Sequence, residues 1–598
     1  MIARRLDGYA PLRDYGALGD GRTVALVARD GAIDWLPLPD LDSPTVFAAI
    51  LDGERGGRFA LEPELPFTVS RRYLPGTNVL ATTFVTDRGA VRVTDALTLP
   101  DQGLTPFREL QRHIDGLSGR VPMRWRLEPR FGYGRWPLRL ARRGHVPVAT
   151  AGNNALALQS FEAGEPAIAD RAISGRFATA EGSSALLALS FAHQEPLVLP
   201  TREELAARLA ATCANWRRWA DDLVYQGPWR EAVIRSALAL KLLVYSPSGA
   251  IAAAATAALP EELGGERNWD YRFSWIRDSA FTINAFLRLG CAAEAEAYIW
   301  WLMQATQLTH PRLQALYRLD GGTQVREREL PLAGYRGSRP VTIGNRAAQQ
   351  LQLDSYGAFL QTVWLYQRDG KPLDRDIGRR FARVADHVCA IWRQPDAGIW
   401  EVRSEPAQFT QSKMLCAVAL DRAVQLAERG AVPDKHAQRW HAEAAAIRHF
   451  VETHCWSDSK HSYVRSAGSD ELDASVLLAI LHGYSDPHDE RIRATITAIE
   501  RELTDGPYVR RYTGDDGLPG SEGAFLACSF WLAEALARTG SLDAAVAQMQ
   551  QLIDTANDVG LYSEEIDPHT GEFLGNIPQG LSHLALISAA TAIAEAKQ

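Results

Sequence analysis

Over the first two hundred residues apolar and polar positions alternate with a period of two. "TVALVARDGAIDWLPL" (23–38) reads as strand, Asp30-Gly31 turn and strand. "NVLATTFVTDRGAVRVTDAL" (78–97) alternates about Asp87-Arg88-Gly89, a hairpin signal, and "ALLALSFAH" (185–193) closes the series. The pattern predicts an all-β sandwich over residues 1–200.

The period then changes. "REELAARLAATCANWRRWADDL" (202–223) is a charged amphipathic helix and is assigned to a linker, 201–228. From 229 to 598 twelve helical patterns follow, among them "AAQQLQLDSYGAFLQTVWLY" (347–366), "ELDASVLLAILHGY" (471–484) and "EGAFLACSFWLAEALARTG" (522–540). Each is expected to run about three to five turns. Short links ("GC", "DGKPLD", "GAVPD", "SDPH", "TGS") alternate with long ones rich in Gly, Pro and aromatics. Short links make antiparallel neighbours, so the six long loops gather on one face, the arrangement of an (α/α)6 barrel.

Those loops are where chemistry is expected. The first carries "RNWDYRFSWIRDSA" (267–280), the third "DAGIWEVRSEP" (396–406) and the sixth "GLYSEEIDPHTGEFLGNIPQG" (560–580). Loops three and six are opposed in a ring of six, and each presents glutamate beside an aromatic ring. Inverting glycoside hydrolysis needs a carboxylic acid and a carboxylate base roughly 6.5–9.5 Å apart, a gap that opposed loops can supply. Glu401 follows Trp400, and a ring that excludes water favours the protonated carboxyl, which makes Glu401 the acid candidate. Glu564 or Glu565 is the base candidate. Competing carboxylates are Glu327 and Glu329 in the second loop, Asp515 and Asp516 in the fifth, and Glu522. The place of Glu522 after Ser521 suits a helix N-terminus.

Length and composition narrow the class. A chain of 598 residues exceeds what one core usually serves, so two domains are expected. Lys plus Arg 64 against Asp plus Glu 72 gives −8, with no basic run long enough for a phosphate backbone, so a nucleic-acid partner is not expected. No window approaches roughly eighteen uninterrupted apolar residues, and "MIARRLDGYAPLRDYG" has no apolar leader core, so the expectation is a cytoplasmic protein without a membrane partner. Sixteen tryptophans suit a ligand made of rings. The six cysteines are scattered and read as reduced, buried thiols. His454, Cys455 and His461 come nearest to metal-ligand spacing but lack a fourth partner, and "GDG" (19–21) and "GDDG" (514–517) read as turns. No metal or cofactor is expected. Oligomeric state is left open.

"NWDYRFSWIRDSA", "GIWEVRSEP" and "LYSEEIDPHTG" resemble the active-site segments of the glucoamylase family, glycoside hydrolase family 15. "DYGALGDGRTVALVARDGAIDWLPLPDLDSPTVFAAIL" (14–51) resembles the β-sandwich of its prokaryotic members, which include trehalases. The resemblance implies that Glu401 is the general acid and Glu564, rather than Glu565, the general base. It also implies that Arg277 and Asp278 grip hydroxyls of the non-reducing glucose, with Tyr271 and Trp275 lining that subsite; Trp400 is grouped with these substrate-binding residues. Val402 departs from fungal members, which place a second glutamate there. The expected activity is inverting, exo-acting hydrolysis of a small soluble α-glucoside, trehalose first and maltose- or isomaltose-type oligosaccharides second. Tyr335, Arg339, Tyr508 and Tyr512 are candidates for setting linkage. A glycoside phosphorylase and an inactive saccharide-binding protein are the alternatives.

Overall fold

The hairpin expected at Asp30-Gly31 forms because only glycine fits its turn: Gly31 has φ +87°, and a Cβ there would lie 2.3 Å from the Leu61 carbonyl oxygen. The computed structural model describes residues 5–99, 108–520 and 522–597. The first four residues, part of the start expected to lack an apolar leader core, and Ser521 lie outside them.

The spine of the β region is a twenty-residue strand, Arg108–Leu127. Its first half pairs antiparallel with Gly89–Leu97 and Ser184–His193, and its second half with Phe59–Pro63 and Ala172–Ala180. One strand thus threads both layers of the sandwich. Tyr15–Gly19 and Val24–Ala28 are buried at every position, because the helical region covers the face that would otherwise meet water. The apolar sandwich face therefore meets the barrel of the same chain. Trp35 donates to the Ala255 carbonyl (2.9 Å), and Asn557 donates to that of Tyr15 (2.8 Å).

Thirteen α-helices follow among the described residues. The first, α1 (Arg202–Asp221), starts with a capping box in which Thr201 and Glu204 satisfy each other's backbone N–H. The rest are α2 (Arg230–Leu243), α3 (Ser279–Arg288), α4 (Ala292–Ala305), α5 (Asp354–Arg368), α6 (Arg375–Ile391) and α7 (Thr410–Glu428). They continue as α8 (Ala437–His454), α9 (Leu478–Leu481), α10 (Glu490–Glu502), α11 (Leu526–Arg538), α12 (Leu542–Asp554) and α13 (Gly580–Ala596). The odd-numbered helices from α3 to α13 pack on one another as an inner ring, which α13 closes against α3. The even-numbered helices form the outer ring. Every short link leads from an inner to an outer helix, so the long loops collect at the opposite end, as the (α/α)6 plan requires.

Three elements differ from the periodicity. The pattern at 347–366 opens in a 3-10 turn, Arg346–Gln349, and becomes α-helical only at Asp354, because Gln350 is drawn off to donate to the Glu401 and Val402 carbonyls (3.3 and 3.2 Å). The pattern at 471–484 shrinks to a 3-10 turn, Ala474–Leu477, and the four residues of α9. The pattern at 522–540 starts at Leu526, after a two-residue strand, Ala524–Phe525. Glu522 is therefore no helix cap.

Candidate active site

The first long loop places three arginines in three different roles. Arg267 pairs with Asp516 (2.6 and 2.9 Å). Arg272, fully buried, pairs with Asp270 (2.8 Å) and donates to the Ser43 carbonyl of the sandwich (2.7 Å). Arg277 reaches the third loop, donating to Glu401 Oε1 (2.6 Å) and the Ile399 carbonyl (2.7 Å). Trp275 is buried, packs edge-on to Tyr271 (4.9 Å), and donates its indole N–H to the same Glu401 oxygen (2.5 Å). Asp278 precedes α3 with its Oδ1 3.5 Å from Arg277 Nε and without a hydrogen bond among the described residues. Burial pushes this carboxyl up to about 6 even though Arg277 opposes it.

The third loop is stapled by Asp396, whose Oδ2 accepts from the Leu353 and Gly398 amides and the Ser412 hydroxyl (2.9, 3.2 and 2.8 Å). Glu401 itself has φ +57°, a left-handed backbone that costs a non-glycine residue roughly 1–2 kcal/mol. That strain turns its carboxylate toward Trp275 and Arg277. Trp400 points elsewhere: its N–H donates to Asp473 (2.9 Å), and its ring packs on Phe525 (5.3 Å) and Trp531 (6.1 Å). The groups seated on the Glu401 carboxylate are thus two donors from the first loop.

In the sixth loop the two neighbouring glutamates part company, because successive side chains of an extended segment point to opposite sides. Glu565 accepts from the Gly523 amide (2.8 Å) and lies 3.4 Å from Arg511, which also holds Glu261 (2.8 Å) and Glu522. These three carboxylates bring ligand atoms within 4.8 Å of one another, the one such trio among the described residues, and the cation bonded among them is the Arg511 guanidinium. Glu564 takes the other side. Its Oε2 accepts from the Asn576 amide (3.1 Å), and Gly575 (φ +69°) packs so close that a Cβ would sit 2.5 Å from that oxygen. Burial and then Glu261 raise the Glu564 carboxyl well above the usual range. The Tyr271 hydroxyl feels both candidates: burial first, then Glu564 and Glu401, push it up.

Two small cavities flank this cluster. One, about 20 Å³, is lined by Tyr271, Trp400, Glu401, Val402, Glu261 and Arg511 among others. The other, about 10 Å³, lies against Arg277, Asp278, Phe281, Asp354, Gln411 and Trp531. The two cavities bring together Tyr271, Arg277, Asp278, Trp400 and Glu401; Trp275 joins them through its bond to Glu401, and Glu564, which lines neither cavity, through its electrostatic effect on Tyr271. Other carboxylates lie apart: Glu327 pairs with Arg346 and Arg403 (3.1 and 3.5 Å), Asp515 is exposed, and Glu329 is on an exposed edge. Arg267 and Tyr512 outweigh burial at Asp516 and hold it at about 2. Of the linkage candidates Tyr512 lies near the site, its ring 6.4 Å from Trp400, whereas Tyr335 bonds the Ala10 carbonyl (3.2 Å) and Arg339 that of Ala333 (3.1 Å). Tyr508 is half-buried in the strand Tyr508–Val509. All six cysteines are free and buried. Sequence reasoning missed Glu261, Asp354 and Arg511. Glu261 and Arg511 meet across 250 residues, a separation that leaves no local period to read.

Residues 227–591 match the profile of glycosyl hydrolases family 15, and residues 7–178 that of a trehalase-like N-terminal domain. The chain belongs to glycosyl hydrolases family 15. It is a glycoside hydrolase, and its likeness to family members runs from end to end. It is 36% identical over 595 residues to the trehalase of Thermoplasma volcanium, covering 99% of this chain and 95% of that one. It is 37% identical to the trehalase of Mycobacterium tuberculosis, with 99% and 90% covered. The fold is that of a bacterial glucoamylase solved with acarbose, at TM-score 0.75 and 13% identity over 98% of this chain and 94% of that one.

Proposed function

We propose that this family 15 enzyme hydrolyses trehalose with inversion, using Glu401 as general acid and Glu564 as general base. The observation that carries the reading is that Arg277 bonds half-buried Glu401 while the Tyr271 hydroxyl feels both Glu401 and fully buried Glu564, glutamates supplied by opposed loops. Full-length similarity to proteins named trehalase favours trehalose over maltose- or isomaltose-type glucosides.

Neither cavity beside the Arg277–Glu401 pair holds more than about one water, so the glucosyl unit takes space that this pair now fills. Substrate entry exchanges partners: Arg277 turns its fork to sugar hydroxyls beside Asp278, whose Oδ1, without a hydrogen bond among the described residues, accepts another. Glu401, released from Arg277, carries the proton to the glycosidic oxygen. Glu564, fixed by the Asn576 amide, takes a proton from the water that attacks the opposite face of the sugar. One displacement through an oxocarbenium-like state leaves no covalent sugar on the enzyme. Glu565, committed to Arg511 and the Gly523 amide, serves as support for its neighbour.

The test is kcat/KM on trehalose, maltose and isomaltose for the wild type, Glu401→Gln and Glu564→Gln. The expected result is trehalose highest by at least tenfold, with each substitution lowering its cleavage by 10³-fold or more. A higher value on maltose or isomaltose would overturn the substrate, and an active Glu564→Gln would overturn the base.

A further inference from the structure

At the end of the barrel away from the long loops, the inner helices line another cavity, of about 170 Å³. Four arginines line it: Arg288 from α3, Arg368 from α5, Arg422 from α7 and Arg538 from α11. Among the described residues on its wall, Glu534 is the one carboxylate.

Two of these charges are neutralised nearby. Arg538 pairs with Glu534 (2.6 Å), and Arg288 pairs with Glu595. The other two form no ion pair among the described residues; burial lowers both guanidiniums, with Asp421 opposing it at Arg422 and Asp369 and Glu595 at Arg368. Arg422, buried, donates to Gln361 (2.5 Å), Gln425 (3.1 Å) and the His482 carbonyl (2.8 Å). Arg368 stands exposed at the mouth and stacks on Trp364 (4.8 Å), whose other guanidinium neighbour is Arg422 (4.4 Å). The indole N–H of Trp364 is buried without a partner among the described residues. Besides burial, what most lowers the Arg368 guanidinium is repulsion from Arg288 and Arg429.

Six inner helices end here, and helix C-termini favour cations. That effect accounts for Arg422, which caps the carbonyl of His482, and for the place of Arg368 in the last turn of α5, but the Arg368 guanidinium bonds no carbonyl among the described residues. Two guanidiniums stack on the ring of Trp364, 4.8 and 4.4 Å from its centroid, and bring a charge of two to one cavity wall beside its unpartnered N–H. We propose that this cavity binds a compact, doubly charged oxyanion of the phosphate or sulfate class, gripped by Arg368 and Arg422.

The site is distinct from the sugar pocket yet touches it. Phe281 and His482 line this cavity and also the smaller one beside Asp278. Phe281 stacks on Trp531 (5.9 Å) and meets the His482 ring edge-on (4.9 Å). Burial, then Arg422 and Arg538, hold His482 down at about 3, so this partition stays uncharged at neutral pH. An anion below it cannot reach the glycosidic carbon and is therefore no phosphorolytic nucleophile.

Calorimetric titration of the full chain with inorganic phosphate, at low and constant ionic strength and with saturating glucose in the sugar pocket, tests the proposal. The expected result is one saturable site that sulfate competes for, that glucose leaves in place, and that weakens at least tenfold in Arg368→Gln. Because Arg368 is exposed, that variant should keep the wild-type melting temperature without phosphate. Arg422→Gln, folded by the same criterion, should show the same loss. Absence of saturable binding, equal affinity in Arg368→Gln, or displacement by glucose would overturn it.

Discussion

Arg277 is the residue through which sugar recognition and acid catalysis touch, because one guanidinium faces both Asp278 and Glu401. The sequence placed it in the subsite by resemblance, but its second partner, 124 residues away, belongs to a different loop and carries no signal near Arg277. The same distance hid Glu261. Its Oε2 is held by Arg511 and its Oε1 is unpartnered among the described residues, and its charge bears on Glu564. A base works ionised, so kcat/KM should climb with pH through the raised value of Glu564. Removing the neighbouring charge lowers that value. Glu261→Gln should therefore move the acid limb of the kcat/KM profile to lower pH by about one unit, as loss of a like-charged neighbour does. An unmoved limb would mean that Glu261 does not set the state of the base.

Helix starts show where period alone fails and tertiary bonds decide. The alternation of short and long links was legible throughout because it depends on composition rather than on where each helix begins. The start of α5 was not: apolar spacing continues back to Ala347, but Gln350 and Leu353 are claimed by the third loop. Asp473 similarly shortens α9, since its carboxylate serves both the Ser475 amide (2.7 Å) and Trp400 (2.9 Å). At the first residue of α5, Asp354 is fully buried; burial, and then Asp396, push it up to about 7. The fold thus favours the protonated form relative to the unfolded chain. The stability this contributes is complete below about pH 4 and is lost as pH rises toward 7. Asp354→Asn stays neutral throughout, so its melting temperature should gain on the wild type between pH 4 and 8. The gain corresponds to roughly 4 kcal/mol at most, at 1.36 kcal/mol per unit. Parallel curves would show that Asp354 titrates normally.

At the scale of the molecule, the sandwich braces the loops that carry chemistry. Ser43 receives Arg272 of the first loop (2.7 Å), Asp52 the Ala333 amide of the second (3.0 Å), and Arg13 donates to the Gly571 carbonyl of the sixth (2.7 Å). The two architectures were readable from the change of period near residue 200, but this clamp was not, since each contact joins residues more than 200 apart. The clamp matters because two-carboxylate inversion depends on holding Glu401 and Glu564 at a fixed separation with water between them. Proton NMR of the first glucose released from trehalose tests that claim most directly. Inversion at one sugar with an unchanged leaving sugar predicts equal initial α- and β-glucose. Initial α-glucose alone would show retention and contradict the assignment of Glu564 as a base acting on water.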